Sequence, residues 1–247
     1  MTELLLIGIG TGNPDHLTLE AVSALRSAEI VLLPRKGADK ADLADLRRMI
    51  CERHLSAQGQ VIEFDLPRRD ASGDYLPGVR DWHEAIARIW AGLLAGHPAS
   101  RVALLVWGDP SLYDSSLRIA GRLREAGSEL TIRVVPGITS LQMLTAAHGI
   151  PLNTLGAPFL VTTGRRLREG GWPEGVDTVA VMLDGECSFA HLPGDGLHIW
   201  WGGYVGMPQQ ILIAGPLGEA GPRIIAAREA ARAEHGWIMD IYLLRRG

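Results

Sequence analysis

Short apolar runs alternate with amphipathic segments along the first part of the chain. The run Leu4–Ile9 is followed by a helical pattern over residues 17–28 and by a second apolar run at residues 29–33. Strands that are apolar on both faces are typical of parallel sheets covered by helices on both sides. The pattern therefore predicts a βαβ unit at the start of the chain and the α/β fold class.

The alternation of helices and strands continues to His148, after which the pattern changes. Residues 150–158 contain two prolines and neither helical nor alternating spacing, so they predict a linker. Strand patterns outnumber helical ones beyond it, with one clear helix. After the first helix, the pattern predicts helices at residues 41–55, 79–95, 115–126, in the segment that ends at His148, and at 223–235. After the second strand, it predicts strands at residues 60–64, 102–107, 130–135, 159–163, 178–183, 197–201, 210–214 and 238–244.

The composition indicates a folded protein and removes several classes of function. Hydrophobic residues make up 47% and charged residues 21% of the 247 residues, which argues against a disordered chain. The net charge of −4 lacks the basic excess of a protein that binds duplex nucleic acid. No apolar run approaches the roughly 18 residues of a membrane span, and no basic region precedes the first run. We therefore expect a cytoplasmic protein without a membrane or nucleic-acid partner.

The cysteines predict neither a metal site nor a disulfide framework. Cys51 and Cys187 stand far apart, and neither has a second cysteine at CxxC spacing. We therefore interpret both as inert thiols.

A glycine-rich loop lies between the first predicted strand and the first predicted helix. The segment Gly8–Asn13 reads GIGTGN, and a dinucleotide-binding loop would occupy this place in the chain. The dinucleotide pattern requires its third glycine where this chain has Asn13. Arg35, which closely follows the second strand, could nevertheless serve a 2′-phosphate, so an NADP-dependent oxidoreductase remains an alternative. A tight turn that needs glycine only for its backbone angles is the structural alternative.

Two further predicted strands end in similar turns. Residues 107–110 read WGDP and residues 135–140 read VPGITS. Ligands of open α/β sheets bind beyond the carboxyl ends of the strands, where glycine permits close approach of the backbone. We therefore expect the three turns to line one pocket.

The segments GIGTGNPDHLTL, WGDPSLY and VVPGITS, in this order, resemble the tetrapyrrole (corrin/porphyrin) methyltransferases that use S-adenosylmethionine. The resemblance extends over nearly the whole chain. It implies a homodimer of two-lobed chains, with a mainly parallel sheet in residues 1–152, a mixed sheet in residues 153–247 and the cofactor in the cleft between the lobes. Longer stretches, among them VVPGITSLQMLTAAHGIPLN and GGYVGMPQQILIAGPL, resemble the family members that methylate C-1 of precorrin-5 and release acetate to form precorrin-6A.

The resemblance also implies a set of contacts to S-adenosylmethionine, and it implies no metal. Thr11 is the least secure of these contacts, because relatives usually carry proline at that position. The remaining implied contacts are Gly10, Trp107, Gly108, Asp109, Leu112, Thr139, Ser140, Met182, Tyr204 and Ala214.

The two halves of this chemistry make different demands on the protein. Methyl transfer to an electron-rich ring carbon depends mainly on alignment and needs no strong base. Loss of acetate requires water to add to a ketone, which calls for acid–base help or an oxyanion site. Asp109 and Tyr113 are the first candidates for this role, and a turn cap and core packing are their respective structural alternatives. Further candidates are Asp184, Glu186 and His191.

A tetrapyrrole substrate carries several carboxylates and a flat macrocycle. Basic residues that could bind the carboxylates are Arg35, Lys36, Arg68, Arg69, Arg165 and Arg166, with an ordinary solvated charge as the alternative for each. Aromatic residues that could lie against the macrocycle are Trp107, Trp200, Trp201 and Tyr204, with core packing as the alternative. Two further alternatives are a methyltransferase for a different precorrin and a tetrapyrrole-binding protein without catalytic activity.

Overall fold

The computed structural model describes residues 1–35, 41–68 and 75–247. The chain divides into two compact units, Met1–Ile138 and Thr139–Gly247. The division lies before the helix that ends at His148, whereas the sequence analysis placed it between residues 152 and 153. The predicted linker, residues 150–158, contains neither helix nor strand.

The first unit is built on a five-stranded sheet in which all neighbouring strands are parallel, in the order β3-β2-β4-β1-β5. The helices form the crossover connections that join parallel strands. The strands are β1 (Thr2–Gly8), β2 (Ile30–Arg35), β3 (Gln60–Asp65), β4 (Arg101–Val106) and β5 (Leu130–Val135), and the helices are α1 (Leu19–Ser27), α2 (Ala41–His54), α3 (Tyr75–Gly96) and α4 (Ser116–Glu125).

Alternate residues of the interior strand β1 supply two hydrophobic layers. Leu4 and Leu6 belong to the core that contains Trp90 of α3 and residues of α4. Leu5 and Ile7 belong to the core that contains residues of α1 and α2. All four β1 side chains are 0% exposed, as expected for a strand covered on both faces.

The neighbouring strands β1 and β4 lead into helices on opposite faces of this sheet. The chain passes from β1 to α1 on one face and from β4 to α4 on the other. Such a point in a parallel sheet opens a crevice at the carboxyl ends of the two strands. The first two glycine-containing turns of the sequence lie at these strand ends.

The second unit contains a mixed sheet in the order β6-β7-β10-β8-β9. Only β6 and β7 are parallel, and the remaining neighbours are antiparallel. The strands are β6 (Phe159–Thr163), β7 (Thr178–Met182), β8 (Leu197–Gly203), β9 (Ile211–Pro216) and β10 (Asp240–Arg246), and the helices are α5 (Ser140–His148), α6 (Gly164–Gly170) and α7 (Leu217–His235).

The α/β class, the parallel first sheet and the mixed second sheet are confirmed, and two details of the second unit correct the prediction. Helix α6 was not predicted, because Leu167 is its one long apolar side chain among charged residues and glycines. Helix α7 begins at Leu217 rather than at residue 223, since it accommodates Pro222 within its first turns.

Candidate functional site

The three glycine-containing turns of the first unit meet at the carboxyl edge of its sheet. The backbone N–H of Gly108 donates to the Gly10 carbonyl at 2.8 Å, and the N–H of Gly10 donates to the Gly108 carbonyl at 3.3 Å. The turn after β5 packs against both, because a Cβ at Gly137 would lie 2.1 Å from the Gly108 carbonyl oxygen and 2.8 Å from the Gly8 backbone. The expectation that these turns come together in space therefore holds within this unit.

Glycine is required at this meeting point for two separate reasons. No side chain can replace the hydrogen of Gly137, since any Cβ would overlap backbone atoms of the two other turns. Gly10 adopts a φ of 75°, in the left-handed region that L-residues seldom occupy. The two residues allow the turns to approach more closely than side chains would permit.

Asp109 connects two of these turns through its carboxylate. Its oxygens accept hydrogen bonds from the Gly137 N–H at 2.8 Å, from the Ser111 N–H at 2.8 Å and from the Ser111 hydroxyl. Burial opposes ionisation of the side chain, but these hydrogen bonds outweigh it and lower the pKa of the carboxyl below its ordinary value. The group is therefore an ionised acceptor that holds the turns after β4 and β5 together.

Tyr113 lies in the same loop and faces a different environment. Its backbone has a φ of 50°, and its side chain is 43% exposed. Partial burial of the ring raises the pKa of the phenol, so the hydroxyl is protonated at neutral pH.

Two other candidates of this loop, Trp107 and Leu112, are half-buried, and Trp107 packs against the α1/α2 layer. Thr11 is buried beside Gly10.

Arg47 is a residue near this edge that the sequence analysis missed. Its guanidinium donates from Nε to the carbonyl of Leu105 near the end of β4, at 3.0 Å. Burial lowers the pKa of Arg47, and the charge of nearby Asp114 opposes that effect. The sequence offered no signal for this contact, because Arg47 stands in a charged helical segment like its neighbours.

The predicted contacts of the second unit occupy the start of α5, the end of β7 and the strand β9. Thr139 is the N-cap of α5, where its hydroxyl accepts from the Leu141 N–H at 3.2 Å, and Ser140 is the first helical residue. Met182 ends β7 and Ala214 lies in β9, and both are half-buried.

Tyr204 has its side chain inside the second unit. It is 1% exposed, its hydroxyl donates to the Trp237 carbonyl, and its ring packs edge-on against the ring of Trp237. Its backbone N–H donates to the Met239 carbonyl at 2.8 Å, so Tyr204 is part of the interior of the unit.

The further acid–base candidates of the second unit differ in their surroundings, although the Glu186 N–H donates to the Asp184 carboxylate at 3.1 Å. The Asp184 carboxylate is buried and accepts from the Ser188 N–H and the Tyr242 hydroxyl. Glu186 pairs with Arg168 at 3.2 Å, and His191 is exposed on a short 3-10 helix. The Asp184 carboxylate is therefore a hydrogen-bond acceptor inside the unit.

The basic candidates differ in their surroundings. Arg35 forms ion pairs with Asp65 at 3.1 Å and Glu63 at 3.7 Å on the neighbouring strand β3. Arg68, Arg165 and Arg166 are exposed, and Lys36 and Arg69 lie outside the described residues.

Of the two tryptophans on β8, Trp201 is fully buried and donates from Nε1 to Asp240 at 3.0 Å. Trp200 is half-buried, with the His198 ring 4.2 Å from its own and the Arg245 guanidinium 5.2 Å above it. Core packing, the alternative stated for these residues, applies to Trp201.

The strand order argues against the dinucleotide interpretation. In a dinucleotide-binding sheet the second strand lies next to the first, so that its terminal residue reaches the ribose. Here β4 lies between β1 and β2. Arg35 at the end of β2 is therefore one strand further from the glycine loop than that function requires.

Neither a metal cluster nor a membrane span is found in the described parts of the chain. Within residues 1–35, 41–68 and 75–247, no three His, Cys, Asp or Glu side chains are grouped so that they could hold a metal ion. The helices of the same ranges include none with the length and apolar character needed to cross a bilayer.

Comparison with known proteins agrees with the fold. A precorrin-6A synthase [deacetylating] of Sinorhizobium sp. is 47% identical over 252 residues, which cover 100% of this chain and 96% of the relative. A cobalamin synthesis related protein (CobF) of Corynebacterium diphtheriae has a crystal structure that matches with a TM-score of 0.84 and 38% identity, over 100% of this chain and 99% of that one.

A more distant structure shares the fold. The uroporphyrin-III C-methyltransferase of Thermus thermophilus, crystallised with S-adenosylhomocysteine, matches with a TM-score of 0.62 and 22% identity, over 98% of this chain and 97% of that one. The family model for tetrapyrrole (corrin/porphyrin) methylases matches residues 3–221 of the chain. The chain therefore belongs to the tetrapyrrole (corrin/porphyrin) methylase family.

Proposed function

We propose that the protein is an S-adenosylmethionine-dependent C-methyltransferase that methylates C-1 of precorrin-5. Water enters and acetate leaves in the same reaction, which yields precorrin-6A on the aerobic route to cobalamin. The observation that carries this proposal is the 47% identity, over the whole chain, to a relative named for that reaction. The meeting of the three turns in the first unit supports it, because the family motifs stand in these turns.

The turns of the first unit suit a polar ligand that is held mainly by backbone atoms. Gly108 has a φ of 66°, and a Cβ placed on it would meet no atom within 4 Å, so open space adjoins this turn. S-adenosylmethionine, when bound, supplies the methyl group as part of a sulfonium cation. The chain's part is to bind and orient it through Gly10, Thr11, Gly108 and the flanking Trp107 and Leu112, and alignment of this kind accelerates a displacement without a base.

The second unit contributes further contacts in this proposal. The residues proposed are Thr139, Ser140, Met182 and Ala214, in agreement with their positions at a strand end, at a helix start or in an outer strand. The Tyr204 phenol is assigned no contact, because its hydroxyl already donates to Trp237.

Asp109 and Tyr113 take different roles in the loss of acetate. The Asp109 carboxylate already accepts three hydrogen bonds and has a lowered pKa, so it is a positioning residue and a poor proton donor. The Tyr113 phenol is protonated and partly exposed, and it can donate a hydrogen bond to the oxygen on which charge develops as water adds to the ketone. Tyr113 is therefore the proposed catalytic residue.

The experiment that tests the function follows both products. Purified protein is incubated with precorrin-5 and S-adenosylmethionine labelled in the methyl group, and labelled tetrapyrrole and free acetate are quantified together. Equal amounts of the two products are expected. Methyl transfer without acetate would assign the chain to a different precorrin, and absence of both products together with thermal stabilisation by NADPH would favour the oxidoreductase. Binding of the tetrapyrrole without methyl transfer would indicate a non-catalytic protein.

Assembly and location belong to the same proposal. We propose a homodimer in the cytoplasm, as the family resemblance implies. Light scattering coupled to gel filtration should then give twice the 26.7 kDa of one chain. A mass of one chain would contradict the dimer.

A further inference from the structure

Leu183 combines two unfavourable properties directly after the carboxyl end of β7. Its backbone has a φ of 54°, in the left-handed region that costs energy for a residue with a side chain. Its side chain is 66% exposed, so burial of apolar surface does not offset that cost. Nothing in the folding of the second unit explains a leucine in this place.

The strained conformation is held by the residue that follows. Asp184 is buried, and its carboxylate accepts from the Tyr242 hydroxyl at 2.7 Å and from the Ser188 N–H and hydroxyl at 2.6 and 2.9 Å. The Asp184 carbonyl accepts from Arg228 at 3.1 Å. Strained residues persist where the surrounding structure determines them in this manner, and they concentrate at functional sites.

Packing against α6 strengthens this frame. A Cβ at Gly164, the first residue of α6, would lie 2.3 Å from the Asp184 carboxyl, so the aspartate packs directly against the backbone of this glycine. A buried polar network and a close helix contact thus combine to present an apolar side chain to the outside.

Four residues other than glycine have a positive φ among the described residues, and only two of them are exposed. Tyr204 is buried in the core of the second unit and Cys187 is half-buried. The exposed pair comprises Leu183 and Tyr113, and each lies in the segment that follows the carboxyl end of a strand in its own unit. Tyr113 is one of the candidate site residues predicted from the sequence, whereas Leu183 is not.

We propose that Leu183 contacts the apolar face of the tetrapyrrole macrocycle and helps to position the substrate. The inference rests on the proposed function. A leucine side chain offers dispersion and apolar contact but no hydrogen bond, which suits a flat, conjugated ring better than the polar groups of S-adenosylmethionine. The exposed residues next along the chain, Gly185 and Glu186, add no apolar side chain beside it.

Two substitutions separate the contact from the fold. Leu183→Asn keeps a side chain of similar length that tolerates the left-handed region, and Leu183→Gly removes both the strain and the contact. Leu155→Asn is the matched control, because Leu155 is a fully exposed leucine of the same unit. The measurements are the unfolding free energy in urea, the Kd for S-adenosylhomocysteine, and kcat and KM with the tetrapyrrole.

We expect both Leu183 variants to raise the KM for the tetrapyrrole about tenfold, in line with the loss of one buried leucine contact. Their Kd for S-adenosylhomocysteine should match that of the unmodified protein, and their unfolding free energy should be equal or higher, because both substitutions relieve the left-handed strain. Leu155→Asn should change none of these values. The inference about Leu183 is overturned if KM is unchanged in an active enzyme, if the Kd for S-adenosylhomocysteine rises instead, or if only stability falls. Absence of methyl transfer by the unmodified protein is a separate result, which overturns the proposed function and this inference with it.

Discussion

The carboxylate of Asp109 accepts a hydrogen bond of 2.8 Å from the backbone N–H of Gly137. The bond joins the turn after β4 to the turn after β5, although β1 lies between these two strands in the sheet. It therefore passes the carboxyl end of β1, where Gly10 pairs with Gly108. One side chain thus sets the spacing of the three turns that carry the family motifs.

Replacing Asp109 with asparagine should weaken the fold and the binding of the cofactor together. The amide can accept fewer hydrogen bonds, and its NH2 group opposes the N–H donors of Ser111 and Gly137. We expect a loss of about 2 kcal/mol in the unfolding free energy measured in urea. Isothermal titration should show a raised Kd for S-adenosylhomocysteine, and the exposed Asp195→Asn is the control. A variant that folds and binds normally but does not turn over would instead assign Asp109 a chemical role.

The lowered pKa of Asp109 predicts a specific dependence of stability on pH. Because the pKa in the folded state lies below the ordinary value of about 3.9, the stabilisation is present above that value and is lost as the pH falls through the folded pKa. The difference in unfolding free energy between the unmodified protein and Asp109→Asn should therefore stay constant from about pH 5 to 8 and shrink below about pH 4. A difference that grows on acidification would contradict this sign.

Substitution of Gly137 tests the close approach of the turns directly. Gly137→Ala places a Cβ 2.1 Å from the Gly108 carbonyl oxygen, so the turns must separate. We expect a markedly lower melting temperature and loss of the thermal shift with S-adenosylhomocysteine. Gly121→Ala is the matched control, since a Cβ there meets nothing within 4 Å and alanine should stabilise α4 by about 0.5–1 kcal/mol. Equal behaviour of the two variants would show that the close approach is not needed.

The meeting of the turns could be predicted from local pattern, but the arrangement of the strands could not. Uniformly apolar runs such as Leu4–Ile9 indicate parallel strands, and the carboxyl ends of parallel strands share one edge. Which strands are neighbours depends on pairing between distant segments. In this sheet β4 lies between β1 and β2, so Arg35 is separated from the glycine loop. The local sequence contains no signal that predicts this arrangement.

Individual side chains of the site were harder to predict than their positions in the chain. Asp184 and Tyr204 have residue types that often bind or react, yet both are buried by long-range contacts with Tyr242 and Trp237. Leu183 has an inconspicuous residue type, and its left-handed backbone becomes apparent only in the structure. In these cases burial and backbone angle determine whether a side chain is available to a ligand, and both depend on residues that are distant in the sequence.

A buried ion pair in the second unit should be the most costly polar contact to break there. Arg228 Nε lies 3.0 Å from Asp240 Oδ2, and the two side chains are only 11% and 8% exposed. Removal of either partner leaves the other side chain buried without its ionic partner, so Arg228→Met or Asp240→Asn should each lower the unfolding free energy by about 3 kcal/mol. The double variant should lose less than the sum of the two, because it leaves no isolated charge. Urea unfolding of all four proteins measures the coupling, and additive losses would contradict a direct interaction between the two side chains.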